Sequence, residues 1–360
     1  MTVDWEVVAT GAVAAGACAL PGTFLVLRGL SLMGDAISHA VLPGIVVAVL
    51  LTGNVASLTV VGGAAAVGLL TVFLIETLIR TRRVKEDTSI AIVFPALFAL
   101  GVLLIARYVP DKDLDQECVL YGEIAFVGLR TVTFAGMTVP EPLLTLGAIA
   151  LLNLAFVLLF FKELKLATFD TGLAAAVGIG PVLVHYLLMG TVSLTTVASF
   201  DAVGAILVVA FLIVPPAAAY LLTDRLGWML VLAVAIGAGS AAGGYFFARA
   251  LGDASVAGCM AVVMGAAFGL VWMLAPREGI LGRVLRVRRN RRRFARALVL
   301  SRLGRGPADA ATIAADLAWP RSRVDDVCAS LESRGLVTTA AGTLTPTDAG
   351  RAYIAFLVKG

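Results

Sequence analysis

Charge is scarce in this chain. Of its 360 residues only 14% are Asp, Glu, Lys or Arg, whereas 60% are hydrophobic and the mean hydropathy is +0.97. Ordinary water-soluble domains carry about 25% charged residues, so the chain as a whole is not a water-soluble protein. Histidine is scarcer still: His39 and His185 are the only two, 146 positions apart, which excludes an H-E-x-x-H metalloenzyme site. The four cysteines, Cys18, Cys118, Cys259 and Cys328, are scattered and form no C-x-x-C, so neither a disulfide framework nor a thiolate metal site is indicated. No G-x-x-x-x-G-K-[ST] occurs, so the chain has no P-loop of its own and ATP-derived energy would have to come from another protein. No catalytic residue is indicated.

What is abundant is apolar sequence in runs of roughly 18–24 residues, the length that crosses ~30 Å of hydrocarbon. Nine spans are expected, near 7–27, 36–51, 56–79, 89–107, 142–161, 178–196, 201–215, 228–248 and 254–275. The first run ends near Ala-Cys-Ala but has no basic segment before it and is followed at once by further spans, so it reads as a retained span. Arg28, the group Arg80, Arg82, Arg83 and Lys85, the pair Lys162 and Lys165, Arg225, and the arginines from 277 onward all fall on one side of this threading. Asp4, Glu6, Asp111, Asp113, Asp115, Glu117, Glu123 and Glu141 fall on the other. The basic side is cytoplasmic by the positive-inside rule, which places the N-terminus outside and the C-terminus inside. The 37 glycines and small-residue patches such as 62–66 and 237–244 read as close helix packing in lipid.

Charge also divides the chain. Residues 1–276 carry 12 basic and 17 acidic side chains, a net −5, and residues 277–360 carry 16 and 7, a net +9. The break at Pro276-Arg277 marks a domain boundary. Residues 277–296 read as a basic juxtamembrane linker. Its arginines, among them Arg288, Arg289, Arg291, Arg292 and Arg293, suit anionic lipid immediately inside the membrane. Residues 297–360 read as a small cytoplasmic α/β domain: helices over 297–303, 309–317 and 321–334, a hairpin over 336–345, and a last helix over 347–357. Helix, helix–turn–helix and β-ribbon is the winged-helix order. Its third helix sets Arg321, Arg323 and Arg334 against Asp325, Asp326 and Glu332, too neutral a face to favour DNA.

Against the apolar background a few polar residues stand out. Asp35 and His39, four apart in LRGLSLMGDAISHAVLPG (27–44), fall on one face of a helix. A carboxylate oxygen beside an imidazole nitrogen suits a borderline divalent metal such as manganese, iron or zinc. Ionisable groups at membrane depth are costly and mark ion pathways. Gly34 before the pair and Pro43-Gly44 after it predict a short or broken helix, of the kind that forms ion sites in transporters. Two ligands do not complete a coordination sphere, so further ligands come from other spans, water or a second subunit. His185, Glu123 and Asp201 are possible pathway residues, with a hydrogen-bonded core histidine and interfacial carboxylates as the alternative reading. Glu76 sits a turn before the cytoplasmic arginines and either snorkels or pairs with them. In VVAFLIVPPAAAYLLTDRL (208–226), Pro215-Pro216 is expected to end one helix and open a short second one on the cytoplasmic side, either a docking surface or a tight turn.

These segments resemble a family. The motif at 27–44, with KEDTSIAIVF (85–94), DLDQECVLYGEIAF (113–126), FKELKLATFD (161–170) and SLTTVASFDAVGAILVVAFLIVPPAAAYLLTDRL (193–226), is similar in content and order to the integral-membrane permeases of bacterial ABC importers for manganese, zinc and iron. The resemblance covers residues 7–276. It implies an all-α polytopic membrane fold of the type II importer class in the bacterial cell membrane. It implies that Asp35 and His39 coordinate the metal in the path. It implies that Pro215, Pro216, Ala217, Ala218, Ala219, Tyr220, Thr223 and Asp224 form a coupling helix for a separate ABC ATPase dimer. An extracytoplasmic metal-binding protein and a second or paralogous permease are implied as further partners. No permanently bound cofactor is implied; the metal is cargo, Mn2+ by the wording of VLYGEIAF and KELKLATFD, with Zn2+ and Fe2+ as alternatives. The tail departs from members that end near the last span. It keeps one rival open: a membrane-anchored, metal-responsive transcription regulator with the winged helix as output.

Overall fold

The computed structural model describes residues 4–52, 58–108, 124–129, 131–134, 137–252, 254–275, 279–340 and 342–352. The chain divides into two compact units, Met1–Met273 and Leu274–Gly360.

The first unit is helical. Its elements are α1 (Trp5–Leu27), α2 (Ser31–Ala40), α3 (Leu42–Thr52), α4 (Leu58–Arg80), α5 (Glu86–Tyr108), α6 (Glu141–Leu159), α7 (Phe161–Phe169), α8 (Thr171–Ala176), α9 (Pro181–Val203), α10 (Ala205–Leu222), α11 (Leu226–Leu251) and α12 (Val256–Leu274). A 3-10 turn at Ile124–Leu129 and a hairpin of β1 (Thr131–Phe134) and β2 (Met137–Pro140) precede α6. Among the described residues nine spans are long and apolar enough to cross a membrane, with α2 and α3 joined as one, Ser31–Thr52. The second span therefore starts at Ser31 rather than 36, which brings Asp35 inside it.

Helix α1 is the hub and packs against α6, α9, α10 and α11. Small residues make this possible, because lipid removes the usual reward for burying bulk. A side chain at Gly22 would put its Cβ 2.1 Å from the Leu212 carbonyl oxygen on α10, and one at Gly44 would lie 2.5 Å from the Gly63 carbonyl oxygen on α4. One buried amide ties three helices together. The Asn153 side chain on α6 donates to the Ala17 carbonyl at 2.9 Å and to Thr195 Oγ1 at 2.7 Å, tying α6 to α1 and α9.

Helix α2 stops at Ala40 and α3 begins at Leu42 because Pro43 cannot donate backward into a continuing helix. The break expected near Pro43 is present. The break expected at Pro215-Pro216 is not: α10 runs unbroken through both prolines. Membrane helices tolerate proline where neighbours and local adjustment satisfy the freed carbonyls.

The second unit begins with α13 (Ile280–Leu303), so residues 280–296, expected as a linker, form one helix with 297–303. Then follow β3 (Ala308–Asp309), α14 (Ala310–Asp316), α15 (Arg321–Glu332), β4 (Val337–Ala340) and β5 (Thr343–Pro346). The strands form one antiparallel sheet in the order β3-β5-β4. The two-residue β3 is too short to be legible in sequence. Val299, Leu300 and Leu303 of α13 share a core with Ile313, Val324, Cys328, Leu331, Val337 and Leu344. Asp309 caps α14 by accepting from the Thr312 backbone N–H at 3.1 Å. Gly335 (φ 65°) ends the segment after α15, and Gly342 (φ 80°) lies in the hairpin turn. The final helix is described over Asp348–Ala352; the rest of its expected range lies outside the described residues.

Candidate functional site

Asp35 and His39 lie one turn apart on α2, with His39 Nε2 3.5 Å from Asp35 Oδ1. The opposite face of α2 is anchored by Met33, Ala36, Ile37 and Ala40, all buried. That anchoring turns the carboxylate and imidazole together toward the open side of the helix, where their side chains are 43% and 39% exposed. Phe94 of α5 flanks the imidazole, ring centroids 6.0 Å apart. Ser38 fixes the turn by donating to the Asp35 carbonyl at 2.6 Å. Helices α4, α5 and α9 pack around α2. The short α2 sets Asp35 about one turn and His39 just over two turns from the helix start. Among the described residues no third His, Cys, Asp or Glu joins them. The pair thus offers one oxygen and one nitrogen to a divalent cation, and any further ligands come from outside this described set.

His185 does not join the pair. It lies one turn into α9 and lines a cavity with Arg28, Glu76 and Thr168. Asp201 sits near the far end of α9, remote in sequence register from His185, and Glu123 lies outside the described residues. Glu76 pairs with Arg80 at 3.2 Å, the second of its two expected arrangements. Arg28, just past the end of α1, donates from Nε to Thr168 Oγ1 at 3.1 Å, and burial holds its guanidinium below its ordinary pKa.

The expected coupling segment needs correction in its geometry. Pro215, Pro216, Ala218 and Ala219 are buried inside α10, packed in the bundle, and Ala217 is half-buried. Tyr220 and Asp224, flanking Thr223 at the helix end, are exposed. A further exposed surface lies on the short helices α7 and α8. Leu164, Ala167 and Ala174 anchor it to Leu20, Phe24, Leu226 and Leu230. Its outer face presents Lys162, Lys165, Phe169, Leu173 and Val177. In sequence the signal is FKELKLATFD, with two lysines beside apolar residues in a segment too short to span.

On the second unit, Arg289, Arg291 and Arg293 are exposed on α13, while Arg288 and Arg292 lie on the same helix. Arg302 pairs with Asp316, and the Arg323 guanidinium stacks 4.2 Å over the Trp319 ring, so part of the basic charge is already engaged within the unit.

The profile of the ABC 3 transport family matches residues 3–275. The chain is 47% identical over 287 residues to the manganese transport system membrane protein MntD of Bacillus subtilis (strain 168), covering 79% of this chain and 97% of that one. It is 42% identical over 283 residues to the zinc transport system membrane protein TroD of Treponema pallidum (strain Nichols), covering 79% and 77%. Among solved structures, PsaBC from Streptococcus pneumoniae in complex with Fab aligns with a TM-score of 0.64 at 31% identity, covering 76% of this chain and 92% of that one. The architecture of residues 3–275 is that of an ABC importer permease.

Proposed function

The chain belongs to the ABC 3 transport family, and on that premise we propose that it is the membrane-spanning permease subunit of an ATP-driven importer of divalent transition metal ions. Manganese is the favoured cargo, with zinc and ferrous iron as alternatives. The observation that carries the reading is the Asp35–His39 pair: two metal-type donors 3.5 Å apart on a broken helix of an otherwise apolar bundle. The relatives named for manganese and zinc transport support it.

In this reading the metal arrives from an extracytoplasmic binding protein and is held transiently by Asp35 Oδ1 and His39 Nε2. Water or a second permease supplies the remaining ligands. One carboxylate and one imidazole bind firmly enough to select a transition metal yet loosely enough to release it. A separate ABC ATPase dimer supplies the energy. Its contact falls on the α7–α8 pair together with Tyr220, Thr223 and Asp224. Phe169, Leu173 and Val177 are exposed there on helices too short to span a membrane, which suits a protein partner. Three residues separate α2 from α1, and α2 packs on α9, which follows α8, so displacement of α7–α8 reaches Asp35 and His39 through a short chain of contacts.

The protein sits in the bacterial plasma membrane with its second unit in the cytoplasm, a reading supported by the basic loops under the positive-inside rule. The arginines of α13 contact anionic lipid. The α-β-α-α-β-β order of the second unit fits a winged helix used for protein contact rather than DNA binding, since α15 is nearly neutral.

The test is radiometal uptake. Cells expressing the permease with its ATPase and binding protein are given labelled manganese, zinc and iron in parallel. Accumulation of manganese above the other two, dependent on the permease, is expected. No accumulation of any of the three in the complete system contradicts the importer reading.

A further inference from the structure

Helix α13 of the second unit carries apolar side chains on two sides. Val299, Leu300 and Leu303 lie in the core that the unit builds with α14, α15 and the hairpin. Val287, Phe294 and Leu298 stay outside it, 51%, 73% and 43% exposed. At about 100° per residue these three fall within about 40° of one another, and the three core residues are centred roughly 170° away. A Val, a Phe and a Leu exposed on one line of a helix, opposite its packed side, form a contact surface.

The charge around this line is of one sign. Residues 283–296 hold eight arginines and no Asp or Glu. Of these, Arg289, Arg291 and Arg293 are exposed. Arg291 lies about 40° from the centre of the line, and Arg293 about 120° from it on the other flank. The line also has the spacing of a coiled-coil seam, but the seam position between Val287 and Phe294 is Arg291. A second copy of α13 would set arginine against arginine with no carboxylate to pair it. A surface rich in phosphate supplies the missing sign. The link to the last span says where that surface lies. The Gly279 backbone N–H donates to the carbonyl of Ala275, the residue after α12, at 3.0 Å. A side chain at Gly279 would collide with that same oxygen, so the turn requires glycine. Helix α13 thus starts within about a turn of the end of a membrane-crossing helix.

We infer that α13 is an in-plane anchor that seats the second unit on an anionic bilayer. Val287, Phe294 and Leu298 enter the boundary between headgroups and acyl chains, and arginines on either flank bind headgroup phosphates. This rests on the reading above that α13 meets anionic lipid, and adds to it an apolar contact and the side that the helix turns to the membrane. The line from Val287 to Leu298 is about 16 Å long, a contact that a helix makes only when it lies along the surface. Arg291, beside the line, has a stem long enough to lie along the apolar boundary while its guanidinium stays among the phosphates. Because Val299, Leu300 and Leu303 lie on the opposite side, insertion leaves the core of the unit undisturbed and holds the unit on the water side of the helix.

The experiment is photo-crosslinking of the full-length permease with its ATPase in lipid nanodiscs. The discs are made of phosphatidylglycerol and phosphatidylcholine in equal parts, or of phosphatidylcholine alone. Phe294→benzoylphenylalanine and, separately, Leu298→benzoylphenylalanine are irradiated, and intact masses are read for added phospholipid. Both positions are exposed, so the unit keeps its fold. Lipid adducts are expected at both, about fivefold or more abundant in the anionic discs. Background yield is expected from Asp326→benzoylphenylalanine, exposed on α15. Arg289→Gln, Arg291→Gln and Arg293→Gln together bring the Phe294 yield in anionic discs down to that in neutral discs. Hydrogen exchange over α13, compared between the two disc types, reads the arginine contact by itself. No lipid adduct at Phe294 or Leu298, with exchange still slower in anionic discs, overturns the insertion and leaves the arginine reading intact. No difference between disc types in either readout overturns both. Adducts between two permease copies, or with the ATPase, in place of lipid give the apolar line to a protein partner and overturn the inference.

Discussion

The two units of this chain solve the same packing problem in different solvents. In the membrane unit, apolar content does not distinguish inside from outside: α1 and α12 are similarly apolar, yet most of α1 is buried and most of α12 is exposed. Helix contacts are recorded instead by glycines such as Gly22 and Gly44. In the second unit, water enforces the ordinary code. Helix α15 buries only Val324, Cys328 and Leu331, spaced four and three apart on one face. Side-chain N-caps occur on α8 and α14, outside the spans, where Asp170 and Asp309 accept from the Leu173 and Thr312 backbone N–H groups. In lipid the polar residues that remain are therefore the informative ones, and Asp35, His39, Glu76 and His185 are the short list.

The sharpest way to break this comparison is steric. Gly22→Val places carbon against the Leu212 carbonyl oxygen, where an added Cβ already lies at 2.1 Å, and forces α1 from α10. Overpacking of this kind costs about 3 kcal/mol or more. Little monodisperse permease is expected after detergent extraction, whereas Gly62→Ala, which meets open space, behaves as wild type. Equal recovery of both variants would refute the role assigned to small residues.

A smaller effect is expected from Asn153→Leu. It removes the donors to Ala17 and Thr195 that join three spans. Hydrogen bonds between membrane helices are worth about 1 kcal/mol, since the alternative state also finds partners. Thermal unfolding in detergent should shift down by a few degrees, and a shift as large as that of Gly22→Val would show that polar ties dominate over close packing.

The smallest effect concerns the second unit and pH. Hydrogen bonds from the Thr312 hydroxyl and backbone N–H hold the Asp309 carboxyl below its ordinary pKa. A depressed carboxylate stabilises the folded form above its unfolded value of about 3.9, and that contribution is lost as pH falls through the folded value. Hydrogen exchange across α14 should therefore accelerate as pH drops from 5 to 3, after correction for intrinsic rates. In Asp309→Asn, which keeps a cap without the charge, the acceleration should be smaller, and an identical pH profile would remove Asp309 from the account.

Much of this was legible in the sequence. Span number follows from apolar run length alone. The juxtaposition of Asp35 and His39 follows from two ionisable residues spaced one turn apart in an apolar field. What was hidden required three dimensions. Arg28, Glu76, Thr168 and His185 meet across four separate segments, and no local pattern announces the cavity they line. Pro215-Pro216 reads as a helix break because proline lacks an N–H, but the bundle packed around α10 carries the helix through. The arginine-rich stretch after 276 reads as a linker by its charge, yet arginine is a good helix former and α13 is continuous to Leu303.

The central claim is that Asp35 and His39 hold the transported metal. It is tested most directly by 54Mn2+ uptake into proteoliposomes containing the permease with its ATPase and supplied with binding protein and ATP, comparing wild type with Asp35→Ala and His39→Ala. Loss of uptake in both variants, with ATPase assembly retained, is the predicted result. Wild-type uptake by both variants would contradict the account.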